Sequence, residues 1–250
     1  MGENLFKLIR MKITLITGAG RGIGLSISEK FYLEDHNLIL LVRSNNQKRG
    51  LEKKFDKKKV KIFVGDLANY SFIKKIAKKI NFVHNIINNA GTRNDNHIHG
   101  VKKSDLDYLI DVNFKATFYL TQIFTKKMIK KKIKGSVVNL SSQLGHVGAY
   151  NRTVYCSSKF AVEGFTKAAA LDLGKYGIRI NTIAPTKTIV NEKELIFTKK
   201  RLEIIKNKIP SKKFTEKEDI AQLCYFLTTS SCKNITGSSI KIDGGWTAGK

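Results

Sequence analysis

Acidic residues are scarce in this chain. Twenty Asp and Glu stand against 46 Lys and Arg, a formal net charge of +26 over 250 residues. Such an imbalance raises nucleic-acid binding as a reading, because cationic side chains that neutralise phosphates release counterions. The make-up of the excess argues against it. It is mostly lysine rather than the arginine that dominates base readout. It falls in scattered clusters such as "KKFDKKKVK" and "KKMIKKKIK", with no linked aromatic platform. The expectation is a lysine-rich solvated surface with no specific nucleic-acid partner. Its positive field would still steer an acidic substrate or an acidic partner protein.

Cysteine is also sparse. Cys156, Cys224 and Cys232 form neither a CxxC pair nor an even framework, which points to a reducing, cytoplasmic setting and to no zinc site. No apolar run approaches the roughly 20 residues that span a bilayer, so no membrane segment is expected. The start, "MGENLFKLIRMKITLITGAG", lacks the apolar region and small-residue cleavage site of a signal peptide. Phe6 stands where a myristoylation signal needs Ser or Thr. Met11 directly precedes the first apolar run, so residues 1–11 read as a short N-terminal extension. No repeat, linker or low-complexity boundary divides the rest, and residues 12–250 read as one domain.

Short β-branched apolar runs alternate with longer helical patterns. Strands are expected at 12–17, 37–42, 60–64, 83–88, 135–141, 178–183 and 238–243. Helices are expected near 23–34, 46–57, 70–80, 104–131, 154–174, 193–207 and 216–229. This alternation predicts an α/β fold, a Rossmann-type doubly wound parallel sheet of about seven strands with helices on both faces. Ligands on such sheets bind at the carboxyl ends of the strands, near the switch point.

Two stretches carry chemistry. "LITGAGRGIGLSISEKF" follows the first strand and opens a helix, with Gly18, Gly22 and Gly24 spaced G-x-x-x-G-x-G. Glycines there permit a tight turn and let backbone approach a pyrophosphate, while the helix start offers free N–H groups. "VYCSSKF" places Tyr155 one helical turn before Lys159. A neighbouring cation stabilises a phenolate, so such a pair could pass a proton near neutrality. In a chain this rich in lysine the pair alone decides nothing, and "YSFIK" repeats it with Tyr70 and Lys74.

"TGAGRGIG" resembles the opening of the short-chain dehydrogenase/reductase family. So, in the family's order, do "GDL" at 65–67, "NNAG" at 88–91, "VN" at 112–113, "NLSS" at 139–142, "YCSSK" at 155–159 and "DGGW" at 243–246. The resemblance spans residues 12–247 and implies a nicotinamide-dependent oxidoreductase acting on a carbonyl or secondary alcohol. By overall likeness the type is a 3-oxoacyl-carrier-protein reductase, with a sugar or polyol dehydrogenase as the enzymatic rival. A non-catalytic NADP- or nucleic-acid-binding protein on the same scaffold is the alternative of another class. The family pattern assigns catalysis to Asn113, Ser142, Tyr155 and Lys159. Ser142 lies 13 positions before Tyr155, as the family requires, and Ser141 misses that spacing by one. Tyr155 would be the general acid–base and Lys159 would lower its pKa and hold the nicotinamide ribose. Ser142 would donate to the substrate oxygen, and Asn113 would hold a water linking Lys159 to solvent.

The same pattern assigns the cofactor to Gly18, Arg21, Gly22, Ile23, Gly24, Asp66, Leu67, Asn89, Ala90, Gly91, Tyr155, Lys159, Pro185 and Thr188. The second strand ends in Val42 and Arg43, where a member preferring NAD would carry a carboxylate. A guanidinium there can bind a 2′-phosphate, so Arg43 and Arg21 indicate NADP(H), with NAD(H) also usable. One departure is Thr186, in "IAPTKTIVN", where the family commonly has glycine after Pro185. His146 and Arg152 lie in the substrate-bordering segment and are the substrate candidates with Ser142. His146 could equally pack or face solvent. Arg152 could meet an anion. His97 and His99 read as a solvated loop rather than a metal site. "LEIIKNKIPSKKF" (202–214) reads as a mobile cover over the substrate. The family usually forms homotetramers through the helices near 104–131 and 154–174. The partners so implied are a small-molecule or acyl-thioester carbonyl substrate and an acidic carrier protein.

Overall fold

The computed structural model describes residues 11–189 and 199–249. The proposed N-terminal extension, up to residue 10, and the start of the helix expected from 193 lie outside the described residues. Seven strands form a single sheet: β1 Ile13–Thr17, β2 Asn37–Val42, β3 Val60–Val64, β4 Asn85–Asn88, β5 Ser136–Leu140, β6 Arg179–Pro185 and β7 Ser239–Ile242. The order is β3-β2-β1-β4-β5-β6-β7 and every pairing is parallel. The chain reverses its winding between β1 and β4, so the switch point lies between the glycine loop and the "NNAG" segment.

The helices are α1 Gly22–Leu33, α2 Asn45–Lys54, α3 Tyr70–Lys79, α4 Lys103–Ile110, α5 Ala116–Lys130, α6 Thr153–Gly174, α7 Lys199–Asn207 and α8 Lys217–Thr228. Their starts are readable in the chemistry. Ser44 caps α2 by accepting from Gln47 N at 3.3 Å. Asn69 caps α3 by accepting from Ser71 N and Phe72 N at 2.9 and 3.3 Å. Each cap satisfies N–H groups that a helix cannot pair internally.

The strands alternate between two cores, which is why they read as continuously apolar. Leu15, Ile86, Val137 and Ile180 face α3, α5 and α6 through Ile76, Phe124 and Leu173. Ile16, Leu40, Ile87 and Ile183 face α1 and α8 through Ile27, Phe31, Ile220 and Leu227. Burying one such side chain contributes roughly 1.5–3 kcal/mol. All three cysteines are free and buried.

The expected single helix over 104–131 is interrupted. Residues Asp111–Lys115 form a π-helical turn between α4 and α5. No glycine or proline marks it, so the periodicity gave no warning. Such turns concentrate at functional sites because the extra residue re-aims a side chain. Here that residue set includes Asn113.

Candidate active site

The glycine loop leaves β1 with Gly18 at φ +63° and enters α1 with Gly22 at φ +54°, the left-handed region that favours glycine. Gly24 is required by contact instead. A Cβ there would lie 2.1 Å from the Gly18 carbonyl oxygen and 2.5 Å from Asn89 Nδ2. Asn89 clamps the loop, donating from Nδ2 to the carbonyls of Thr17 and Gly18 at 3.0 and 3.2 Å. Thr17 Oγ1 accepts from the backbone N–H of both Asn89 and Ala90 at 2.9 Å. The α1 start carries no side-chain cap and no acidic residue in its first turn. Those N–H groups and the positive dipole end are thus left open to an anion. A dinucleotide pyrophosphate fits this cradle.

Around the loop, Arg21 is exposed at the N-cap of α1, and Ile23 packs against the apolar core. Arg43 is exposed at the end of β2 and donates from Nη1 to Tyr108 Oη at 3.4 Å. Tyr108 in turn donates to Asp66 Oδ2 at 3.0 Å. Leu67 is buried in the core beside Ile73. At the other end, Pro185 closes β6 and Thr188 Oγ1 donates to the Thr186 carbonyl at 3.3 Å. Thr186 is absent from the residues with positive φ, so the loop does not need glycine there. Its hydroxyl is buried and makes no hydrogen bond among the described residues.

The four candidate catalytic residues converge at this edge. A Cβ on Gly91 would lie 3.5 Å from Asn113 Oδ1 and 3.9 Å from Lys159 Nζ. Asn113 accepts from Thr92 N at 2.7 Å and donates to the Thr92 carbonyl at 2.9 Å and to Ser158 Oγ at 3.1 Å. Its side chain thus ties the loop after β4 to α6. Ser142 lies two residues beyond β5 in extended backbone and caps the 3-10 turn Gln143–Gly145, its Oγ accepting from Leu144 N at 3.1 Å. It also lies close enough to the Tyr155 side chain to favour the phenolate. Lys159 Nζ donates to the Leu140 carbonyl at 2.7 Å and lies 5.7 Å from the centre of the Tyr155 ring.

Burial governs the two titrating groups. It raises Tyr155 above the ordinary phenol value, and the Ser142 hydroxyl and the Arg93 and Arg152 charges oppose that rise without overcoming it. Burial also pushes Lys159 down to about 8, with Glu163 opposing. The expected lowering of the Tyr155 pKa by Lys159 therefore does not dominate. The ammonium is drawn to the Leu140 carbonyl, and desolvation of the phenol outweighs its neighbours.

The substrate candidates are held by other groups. Arg152 pairs with Asp95 and donates to the Asn94 carbonyl at 3.3 Å. His146 Nε2 meets Ser239 Oγ at 2.9 Å and Glu163 Oε1 at 3.2 Å. His97 and His99 are exposed on a 3-10 turn with ring centres 5.6 Å apart. Tyr70 and Lys74 lie on the surface of α3, away from these groups, with the Tyr70 ring tilted against Tyr119 at 4.4 Å between centres.

Residues 12–199 match the model of the family described as short chain dehydrogenase. The chain belongs to the short-chain dehydrogenase family. It is 32% identical over 242 residues to the 3-oxoacyl-[acyl-carrier-protein] reductase FabG of Staphylococcus epidermidis, covering 94% of this chain and 98% of that one. Among solved structures it is similar to a 4-hydroxyisoleucine dehydrogenase complexed with NADH, at 31% identity and a TM-score of 0.89, covering 96% of this chain and 100% of that one. It is also similar to ElxO with NADP bound, at 29% identity and a TM-score of 0.87, covering 95% and 99%. The chain is thus an oxidoreductase that uses a nicotinamide cofactor.

Some site residues of this short-chain dehydrogenase were not legible in advance. Asn88 donates to Asn139 Oδ1 at 2.8 Å and to Thr121 Oγ1 at 3.0 Å, and Asn139 donates to Thr166 Oγ1 at 2.9 Å. This buried ladder joins β4 and β5 to α5 and α6 beneath the reacting groups. Tyr108 escaped because its partner Asp66 is 42 positions away. Gln47 folds over Gly20, which no local signal announces.

Proposed function

We propose that the chain reduces 3-oxoacyl thioesters with NADPH, as a cytoplasmic homotetramer serving an acidic carrier protein. The observation that carries this reading is the FabG likeness over nearly the full length of both chains. It is joined by the convergence of Asn113, Ser142, Tyr155 and Lys159 at one sheet edge. A bound nicotinamide supplies the hydride. Tyr155 then gives its proton to the developing alkoxide, a contribution worth about 10²–10⁴-fold. Ser142 donates a hydrogen bond to the same oxygen as charge develops on it. Lys159 holds the cofactor ribose and keeps positive charge beside the phenol. A water at Asn113 would return a proton to Lys159.

For NADP(H), the support is Arg43 and Arg21, both exposed beside a loop with no carboxylate at the end of β2. For the tetramer, it is exposed Leu106 on α4 and exposed Phe160 and Leu171 on α6, an apolar face on the helices expected to pair. A dehydrogenase of a small hydroxylated substrate is the second reading, favoured by the 4-hydroxyisoleucine dehydrogenase likeness. Turnover of an acyl thioester and a panel of sugars and hydroxy acids, followed at the nicotinamide absorbance, separates the two. Tyr155→Phe is expected to lose about 10²–10⁴-fold in kcat; full activity in that variant would sink the mechanism. Arg43→Ala is expected to erase about tenfold or more of the NADPH preference in kcat/KM. NADH preference unchanged by that substitution would refute the cofactor assignment.

A further inference from the structure

Behind Lys159 lies a polar cluster that hydride chemistry leaves unused. Glu163 sits one turn further along α6 and is 6% exposed. Residues four apart share a helix face, with Cβ atoms about 5–6 Å apart. Glu163 Oε2 accepts from Thr182 Oγ1 of β6 at 2.7 Å. Oε1 makes no hydrogen bond, although His146 Nε2 is 3.2 Å away, because that nitrogen is directed at Ser239 Oγ. A Cβ on Gly145 would meet Ser141 Oγ at 2.7 Å and both Glu163 Cγ and the Lys159 carbonyl at 3.2 Å. The 3-10 turn Gln143–Gly145 therefore packs directly on the carboxylate and the catalytic helix.

Burying a half-satisfied carboxylate is costly, and an apolar side chain of similar volume is often at least as stable. The cationic side chains set around it are His146, at 3.2 Å, and Lys159, one turn back on the same buried face of α6 and itself 5% exposed. We propose that Glu163 is a positioning residue whose buried carboxylate, anchored by Thr182 and flanked by His146, sets a negative charge one turn behind Lys159 that supports its ammonium in the reaction. This rests on the role given to Lys159 above. The titratable groups set around Glu163 and Lys159 among the described residues are His146, which follows the 3-10 turn, and Tyr155 on α6; Thr182 of β6 and Ser141 carry no charge. Glu163 opposes the burial that lowers Lys159. Without it, burial acts alone and the ammonium loses its proton at lower pH.

The test is the pH profile of kcat/KM for NADPH-dependent reduction. Glu163→Gln is expected to stay within about threefold of the parent at pH near 6.5 and to lose about tenfold more near pH 8.5, roughly one unit of displacement of the alkaline limb. Glu163→Asp should return the limb toward the parent. A loss equal at every pH, or a limb that stays in place, overturns the proposal in favour of a packing role. Should Glu163→Gln not fold, Thr182→Val, which frees the carboxylate, is expected to move the limb the same way by less. Titration of Cε-labelled lysine by NMR reads Lys159 without turnover, its signal identified by loss in Lys159→Met. A parent with no reductase activity would refute the functional reading, while an unshifted Lys159 titration in Glu163→Gln would refute this one.

Discussion

Lys159 is 5% exposed, and an ammonium taken out of water gives up its proton more readily. The same burial makes the Tyr155 phenol hold its proton more tightly. At neutral pH the site therefore presents a protonated phenol beside a charged lysine, the pairing that carbonyl reduction needs. Far from this edge, burial acts on His36, which is lowered to about 4, chiefly by desolvation and then by the Lys12 and His84 charges. Its Nδ1 lies 2.7 Å from Thr14 Oγ1, which also accepts from Asn85 Nδ2 at 3.1 Å. The folded chain thus binds fewer protons at this residue than the unfolded chain, whose histidine titrates near 6.5. The stability it contributes is complete above about 6.5 and is lost as pH falls toward about 4, on the order of 3 kcal/mol in all. Thermal melts from pH 7 to 4 should show this fall, and His36→Gln should flatten it. An equal slope in parent and variant would remove His36 as the cause.

Elements, rather than single residues, aim these groups. The β1–α1 turn works because Gly24 lets α1 start against the Gly18 carbonyl. Gly24→Ala places a Cβ within 2.1 Å of that oxygen, a backbone atom that cannot swing aside. The loop must open, so nucleotide affinity is expected to fall at least about tenfold and the melting temperature to drop. Calorimetric titration with NADPH checks the first and a thermal melt the second; unchanged affinity would show that the loop tolerates the shift. The π turn Asp111–Lys115 does comparable work by turning Asn113 onto Thr92. In the segment expected as a mobile cover, Ile209 is fully buried and Ser211 N donates to the Gly244 carbonyl at 3.1 Å.

For the whole molecule, parallel topology decides where the charge collects. Lys53 and Lys54, Lys78 and Lys79, and Lys127 and Lys130 all occupy the last turns of helices. Those ends lie at the amino edge of the sheet, opposite the glycine loop, where cations also suit the helix dipole. Ion pairs such as Lys30–Glu34 and Lys115–Asp111 engage some of the lysines but leave the excess untouched. A chain at +26 repels itself, and screening should relieve that. The melting temperature is therefore expected to rise by several degrees between about 20 and 300 mM NaCl. A fall would mean that such ion pairs outweigh the net repulsion.

The amino-acid order by itself determined the alternation of strands and helices, because two-sided burial writes itself as apolar runs. It also determined the glycine loop and the spacing of Ser142, Tyr155 and Lys159, which are local in the chain. It could not rank "VYCSSKF" above "YSFIK" on the pair alone, since both place a phenol one turn before a lysine. Tertiary structure decided that burial, rather than the lysine, sets the phenol's pKa. It decided that Asn113 rides on a π turn, that Asn88 and Asn139 brace the floor, and that Glu163 stands behind Lys159. The physical reason is common to all of these: desolvation and hydrogen bonds between residues distant in sequence exist only once strands β4, β5 and β6 lie side by side.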